Sequence, residues 1–207
     1  SGIPLVIDNT VATPYLMNPL TIGADVVVHS MTKFIGGHGN SIGGVIIDGG
    51  TFDYGESGRF KNFLDPDPSY HGLSYWTALG HGSYIVKARV QLLRDLGASV
   101  TPQNSFNFLQ GLETLSLRME RHFTNAQTVA EFLSNHEQVE SVQYAGLNSS
   151  PWHDRAKEFG EGKGFGSVPA FVIKGGVAAG EKFVNSLSLH SHVANIGDVR
   201  SLVIHPA

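Results

Sequence analysis

The feature that most narrows the fold is a set of three short apolar runs near the start of the chain. Pro4–Ile7 reads PLVI and stops at Asp8, Asp25–His29 reads DVVVH, and Ile42–Ile47 reads IGGVII. β-Branched residues are stiff and favour strands. A strand with one wet face alternates apolar and polar residues. These runs are continuous instead, which predicts strands covered on both faces, as in an α/β sheet. Polar residues follow the first two runs at once, and ligands of open α/β sheets gather at the carboxyl ends of strands.

Residues 49–76 (GGTFDYGESGRFKNFLDPDPSYHGLSYW) are rich in turn formers and show little periodicity, and long ordered excursions of this kind tend to carry function. Helical spacing then returns. Ser83–Leu96 sets Ile85, Ala88, Val90, Leu92, Leu93 and Leu96 near a 3.6-residue period. Asn104–Leu115 places Phe106, Leu109, Leu112 and Leu115 three apart, and Leu117–Leu133 makes a longer amphipathic helix. From Val139 the pattern changes to strand, helix, strand, helix: VESVQYA, HDRAKEF, VPAFVIK and EKFVNSLSL. A second, smaller α/β unit is expected there, joined to the first inside or beside the 117–133 helix.

The strongest chemical signal is DVVVHSMTKFIGGHG. Lys33 lies four residues past a buried strand, behind Ser30 and Thr32 and ahead of Gly36, Gly37 and Gly39. Hydroxyls and backbone N–H groups at a strand end make an anion site, and a desolvated lysine there becomes a useful amine. An anion held beside a nucleophilic lysine suits a phosphorylated aldehyde. The plainer alternative is a strand-end lysine facing solvent, with the glycines serving only turns. Asp8 ends another apolar run 25 positions earlier. A buried carboxylate is costly without a cationic or N–H partner, and a protonated pyridine nitrogen is such a partner. Its plainer alternative is a cap on the Asp-Asn-Thr turn.

IDNTVATPYLMNPLTIGADVVVHSMTKFIGGHGNSIGG and NSFNFLQGLETLSLRMERHFTNA together resemble the Cys/Met-metabolism family of fold-type I pyridoxal-5′-phosphate (PLP) enzymes, and the likeness runs over essentially the whole chain. DPDPSYHGLSYW and ANIGDVRSLVIHPA look most like its O-acetylhomoserine sulfhydrylase branch. The resemblance implies an α/β fold: a mostly parallel sheet in a PLP-binding large domain (residues 1–116), then a linking helix and the start of a smaller C-terminal α/β domain (117–207). It makes Lys33 the Schiff-base lysine and proton carrier, Asp8 the partner of the pyridinium nitrogen, and Ser30 and Thr32 the phosphate ligands. Thr10 falls near the cofactor face. Asn195 stands where relatives have a serine that approaches the substrate carboxylate. The implied reaction is γ-replacement, O-acetyl-L-homoserine plus sulfide giving L-homocysteine and acetate, by a cytoplasmic homotetramer built as a dimer of dimers. Methionine γ-lyase, cystathionine γ-synthase and a catalytically silent piece are the alternatives. The ring-stacking tyrosine, a phosphate-binding glycine turn and a Tyr/Arg pair lent by a neighbouring subunit are expected before residue 1. The arginine that clamps the substrate carboxylate is expected after Ala207, so both ends are read as cut.

Other chemistries find less support. Cysteine is absent, which removes disulfides and thiolate nucleophiles. A net charge of −4 disfavours nucleic acid as a partner, and no apolar run reaches membrane-spanning length. Ten histidines are scattered, and His190-x-His192 alone makes a weak metal pair, so no metal is expected. Arg118, Glu120, Arg121 and Glu131 read as a solvated helix face, and Trp76 and Trp152 as packing residues. A Schiff-base aldolase without cofactor would fit the lysine but leave Asp8 and the hydroxyls idle.

Overall fold

A computed structural model describes residues 2–206, so residues 1 and 207, at the outer ends of the two expected domains, lie outside it. Strands β1 (Val6–Asp8), β2 (Val26–Ser30) and β3 (Gly44–Asp48) form one sheet in that order. β1 and β2 are parallel, pairing Val6 with Val26 and Asp8 with Val28. β3 joins antiparallel, pairing Val28 with Ile46 and Ser30 with Gly44. Continuous apolar runs carry no sign of strand direction, so only the structure distinguishes the third strand.

Side chains alternate across a sheet, and the two faces fare differently. Val27 and His29 are buried on one face; on the other, Val26 is fully buried, while Val6, Asp8 and Ile46 are exposed. Coverage of that second face is therefore only partial among the described residues. Toward the carboxyl end of β2, one face stays open.

Between β1 and β2 the chain makes helix α1 (Thr13–Leu16) and a 3₁₀ turn at Pro19–Ile22. The 49–76 excursion contains α2 (Lys61–Leu64) and runs into α3 (Tyr75–Leu79). Tyr54, Phe63 and Tyr75 are buried together, with Phe52, Phe60, Tyr70, Trp76 and Tyr84 packed around them. Trp76 is thus a packing residue, as expected, whereas Trp152 is exposed and not packed inside. Asp67 anchors the excursion: it accepts from Ser69, from Gln91 at 2.5 Å and from Lys87 at 3.4 Å. The helix expected over 83–96 is continuous but changes gauge, as α4 (Ser83–Lys87), a π-helical segment (Ala88–Leu93) and α5 (Arg94–Leu96).

Helix α6 (Pro102–Glu113) starts at Thr101, whose hydroxyl accepts from Asn104 N at 3.2 Å, with proline at the first position. The long helix α7 (Leu115–Ser134) serves two cores in turn. Its first half gives Leu115, Met119 and Phe123 to a cluster with Leu16 and Phe34. Its second half gives Ala126 and Ala130 to a cluster with Tyr144 and Leu147. Beyond it lie β4 (Val139–Gln143), α8 (His153–Phe159), β5 (Ala170–Ile173) and α9 (Gly176–Ser186), with β4 and β5 antiparallel. α9 begins five residues before the expected EKFVNSLSL. Its entry passes through Gly175 and Gly176, both at positive φ, and glycines mask a helix start in sequence. A short parallel pair, β6 (Ser191–His192) and β7 (Leu202–Val203), was not anticipated. The loop between them, 193–201, returns to the first core.

Candidate active site

Parallel pairing of β1 with β2 places both carboxyl ends on one edge of the sheet. Asp8 ends β1, Ser30 ends β2, and Lys33 lies in the turn that follows. The register also puts Asp8, Val28 and Ser30 on the same, open face. The structure therefore brings together the three residues that the sequence left 25 positions apart.

Thr10 links them. Its hydroxyl accepts from Ser30 N at 2.8 Å, and its own N–H donates to the Asp8 carboxylate at 3.0 Å. Hydrogen bonds from the Thr10 side chain and backbone hold the Asp8 carboxyl below its ordinary range, with nearby His29 adding a smaller pull the same way. Asp8 is exposed rather than buried, so the desolvation argument for a cationic partner does not apply to it in this setting. The carboxylate caps its own turn, and that turn keeps the group ionised.

The loop after Asp8 is pinned by a buried side chain. Asn9 is buried and its amide donates to the Thr13 and Met17 carbonyls at 3.2 and 3.0 Å. Thr13, fully buried, is held at φ +64°, a strained setting for a β-branched residue. Strain of this kind persists only where the surroundings over-determine it, and nothing in the residue pattern announced it.

Residues 31–36 form the lysine turn, closed by Gly36 N to Met31 O at 2.8 Å and Gly37 N to Lys33 O at 2.8 Å. Phe34 and Ile35 are buried beneath it. Lys33 is half-buried, and its Nζ donates to Asn195 Oδ1 at 2.5 Å. Asn195 belongs to the loop between β6 and β7. The same loop brings Gly197 so close that a Cβ there would stand 2.5 Å from Phe34 N. The two hydroxyls are in different situations. Thr32 exchanges hydrogen bonds with Gly43, accepting from its N at 3.1 Å and donating to its O at 3.3 Å. Ser30 instead opens onto a cavity of about 530 Å³ lined also by Val28, Ile42, Ile46 and Val100.

Arg118 departs from the expected solvated face. It is half-buried against the lysine turn, and Glu120 on the same helix accepts from Tyr15 at 2.7 Å. Neither partner is visible in a helical-wheel reading.

The sequence profile of the Cys/Met metabolism PLP-dependent enzymes matches residues 1–207. The chain belongs to that family. It is 56% identical to an O-acetyl-L-homoserine sulfhydrylase of Leptospira meyeri, over all of this chain and 48% of that protein. It is 52% identical to an O-acetyl-L-homoserine sulfhydrylase of Corynebacterium glutamicum, again over all of this chain and 48% of its relative. Among solved structures, an O-acetylhomoserine (thiol)-lyase of Campylobacter jejuni carrying an N′-pyridoxyl-lysine-5′-monophosphate superposes with a TM-score of 0.92 at 38% identity, covering 99% of this chain and 50% of that one. The cystathionine γ-synthase of Xanthomonas oryzae pv. oryzae matches with a TM-score of 0.77 at 33% identity, over 99% of this chain and 44% of its own. The chain thus spans about half the length of the relatives it matches.

The donor set fits the family's cofactor. A primary amine, an ionised carboxylate and a strand-end hydroxyl on an open face share one edge of the sheet. Those groups answer to an aldehyde, a ring nitrogen and a phosphate.

Proposed function

We propose that the protein containing this chain catalyses PLP-dependent γ-replacement, joining O-acetyl-L-homoserine and sulfide to give L-homocysteine and acetate. The observation that carries this reading is Lys33, half-buried at a strand end, sharing one edge with the ionised Asp8. The names of the Leptospira and Corynebacterium relatives support the choice of branch. So does the closer superposition on the thiol-lyase than on the cystathionine synthase.

In this reading Lys33 would hold PLP covalently, Ser30 and Thr32 would take its phosphate, Asp8 would partner the ring nitrogen, and Thr10 would sit near the cofactor face. PLP, when bound, supplies an electron sink for the carbanion at the substrate Cα. Lys33 removes the Cα proton and returns it, so its amine has to be free and correctly aimed. Asp8, kept ionised by Thr10, holds a proton on the ring nitrogen. Thr10 also ties Asp8 to Ser30, which fixes the spacing between the nitrogen and phosphate ends of the seat. Asn195 accepts from Lys33 through its oxygen, which leaves its NH₂ to donate to the substrate carboxylate. Ser30 is the readier phosphate ligand, because the Thr32 hydroxyl is already engaged by Gly43.

The division into a large domain (1–116) and a C-terminal domain (117–207) belongs to the same proposal. What supports a join within α7 is that its two halves feed separate cores, the change falling between Phe123 and Ala126. A homotetrameric, cytoplasmic enzyme acting on an amino acid and sulfide or a thiol completes it. Among the described residues, no helix is long and apolar enough to cross a membrane.

The test is Lys33→Ala in the full-length protein, scored by borohydride trapping of PLP on the chain and by homocysteine formation. Both are expected to vanish. Retained turnover overturns the mechanism, and methionine breakdown in preference to homocysteine synthesis moves the protein to the lyase branch.

A further inference from the structure

The lysine turn ends as a helix ends, with carbonyls that no following turn can satisfy. Lys33 O receives Gly37 N and Gly36 O receives the His38 ring at 2.8 Å. Among the described residues, Phe34 O and Ile35 O receive no backbone donor. Arg118 supplies what they lack, from 84 and 83 residues away: Nη1 donates to Phe34 O at 2.7 Å and Nη2 to Ile35 O at 3.3 Å. The same guanidinium donates to Gly111 O at 2.7 Å and, through Nε, to Thr114 Oγ1 at 3.2 Å. One planar cation therefore joins the lysine turn to the end of α6 and the start of α7.

Two further observations show that the arrangement is specific. No carboxylate pairs with Arg118 among the described residues. Half-burial disfavours its charge, so carbonyl dipoles are its compensation. The surroundings are also cut to its shape. A Cβ on Gly37 would stand 2.5 Å from Arg118 Nη1, and one on Gly111 would stand 2.2 Å from Ile35 O. Only a flat, multi-donor group on a long stem can reach both carbonyls and both α-helical partners at once.

We propose that Arg118 is a positioning residue for Lys33: by capping the Phe34 and Ile35 carbonyls it fixes the turn from which the lysine projects, and so fixes where the amine sits. The inference rests on Lys33 being the reacting amine. Arg118 does not touch that amine and acts only through the turn. When the cap is lost, the turn loosens, the Lys33–Asn195 hydrogen bond is broken more of the time, and the amine becomes both more exposed and less well aimed.

The experiment compares Arg118→Met and Arg118→Lys with Tyr144→Phe in the full-length protein. Tyr144→Phe removes a buried hydrogen bond to Gly166 O far from the lysine and serves as a stability control. In PLP-free protein, acylation of Lys33 by acetic anhydride is measured by peptide mass spectrometry against the exposed Lys157. The ratio is expected to rise about threefold or more in Arg118→Met, as local opening of the turn becomes easier. It should stay unchanged in Tyr144→Phe. In loaded enzyme, kcat should fall on the order of 10²-fold with KM little changed, since misplacing a reacting group costs rate more than binding. Arg118→Lys, which keeps the cation but reaches one carbonyl at a time, should fall between. It also stands in if the methionine variant does not fold. An unchanged Lys33 ratio and kcat in a folded Arg118 variant overturn the proposal. A changed ratio with no activity on O-acetylhomoserine in any form leaves Arg118 as the positioning residue and refutes the assigned reaction instead.

Discussion

Gly111 offers a sharp test of how closely α6 meets the lysine turn. A Cβ built on it would stand 2.2 Å from the Ile35 carbonyl oxygen, 2.8 Å from the Gly36 oxygen and 3.0 Å from Gly36 Cα. Real Cβ contacts stay at or above 3.0 Å, so helix and turn would have to part by 0.8 Å, the difference between 3.0 and 2.2 Å. All three neighbours are backbone, and none can swing aside. Alanine in a helix interior gains about 1 kcal/mol over glycine. Against that, overpacking costs about 1–3 kcal/mol. Parting the elements also strains the bonds of Arg118 to Gly111 O and Phe34 O, each worth about 1.5–3 kcal/mol as a bond from a charged group. With one such bond lost, Gly111→Ala is expected to destabilise by about 1.5–5 kcal/mol. For a chain of this size that lowers Tm by about 3–20 °C. Gly82 is the control: its φ is −83° and a Cβ there meets nothing within 4 Å. Gly82→Ala should be neutral or up to about 1 kcal/mol stabilising through the unfolded chain. Thermal unfolding of PLP-free protein reads both. A Gly111→Ala protein as stable as wild type, with Gly82→Ala behaving as stated, refutes the close approach.

Asp8→Asn separates chemistry from stability. The carboxylate is exposed, so Tm should stay near wild type, while kcat falls on the order of 10²-fold or more, as when a fixed electrostatic partner is removed; equal activity would strip Asp8 of its role. Asp67 predicts an acid limb. Hydrogen bonds from Ser69, followed by the one from Lys87, hold its carboxyl down to about 2 against an ordinary 3.8. A depressed folded value means that the stabilisation is complete above about pH 4 and disappears as pH falls toward 2. Unfolding midpoints of wild type should drop over that window, and Asp67→Asn should lose much of the slope; parallel curves would show that Asp67 is not the group responsible.

The fold was legible where hydrophobic period and length agreed. Helices α6 and α7 fall within two residues of their expected bounds, β4 and β5 fall inside theirs, and β1 and β2 each run one residue past the end of the expected run. Three things were hidden for physical reasons. Strand direction depends on connections, so the antiparallel entry of β3 left no trace in IGGVII. A two-residue pair such as β6 and β7 is too short to show a period. The gauge change at 88–93 leaves no mark on the apolar spacing, although Leu92 and Leu96 end up exposed. In the site, Lys33, Asp8 and Ser30 could be picked out as candidates because each ends or closely follows an apolar run. The part played by Arg118 could not, since a cation that binds carbonyls leaves no charge partner to find in sequence. Long-range carbonyl capping has no local signature. The spacing of Gly36, Gly37 and Gly111 around it was a hint, and only the fold gives that hint a meaning.

The loop between β6 and β7 links the C-terminal unit to the lysine, and Gly197 tests whether that link carries function. Gly197 has φ +72°, which glycine adopts freely and alanine does not. A Cβ there would stand 2.5 Å from Phe34 N, 2.8 Å from Phe34 Cγ and 2.9 Å from Lys33 C. Gly197→Ala therefore has two reasons to lift the loop off the turn, and lifting it draws Asn195 Oδ1 away from Lys33 Nζ. Asn195→Ala removes the same acceptor without moving the backbone. If the loop acts through that one hydrogen bond, both variants should raise the acylation of Lys33 by similar factors, and combining them should add little, as for two changes to one contact. If Gly197→Ala alone raises it, the loop acts by covering the turn, and Asn195 is free to serve the substrate. A loop that mattered to neither would leave Lys33 unchanged in both variants, and the lysine would then owe its place to the Arg118 side alone.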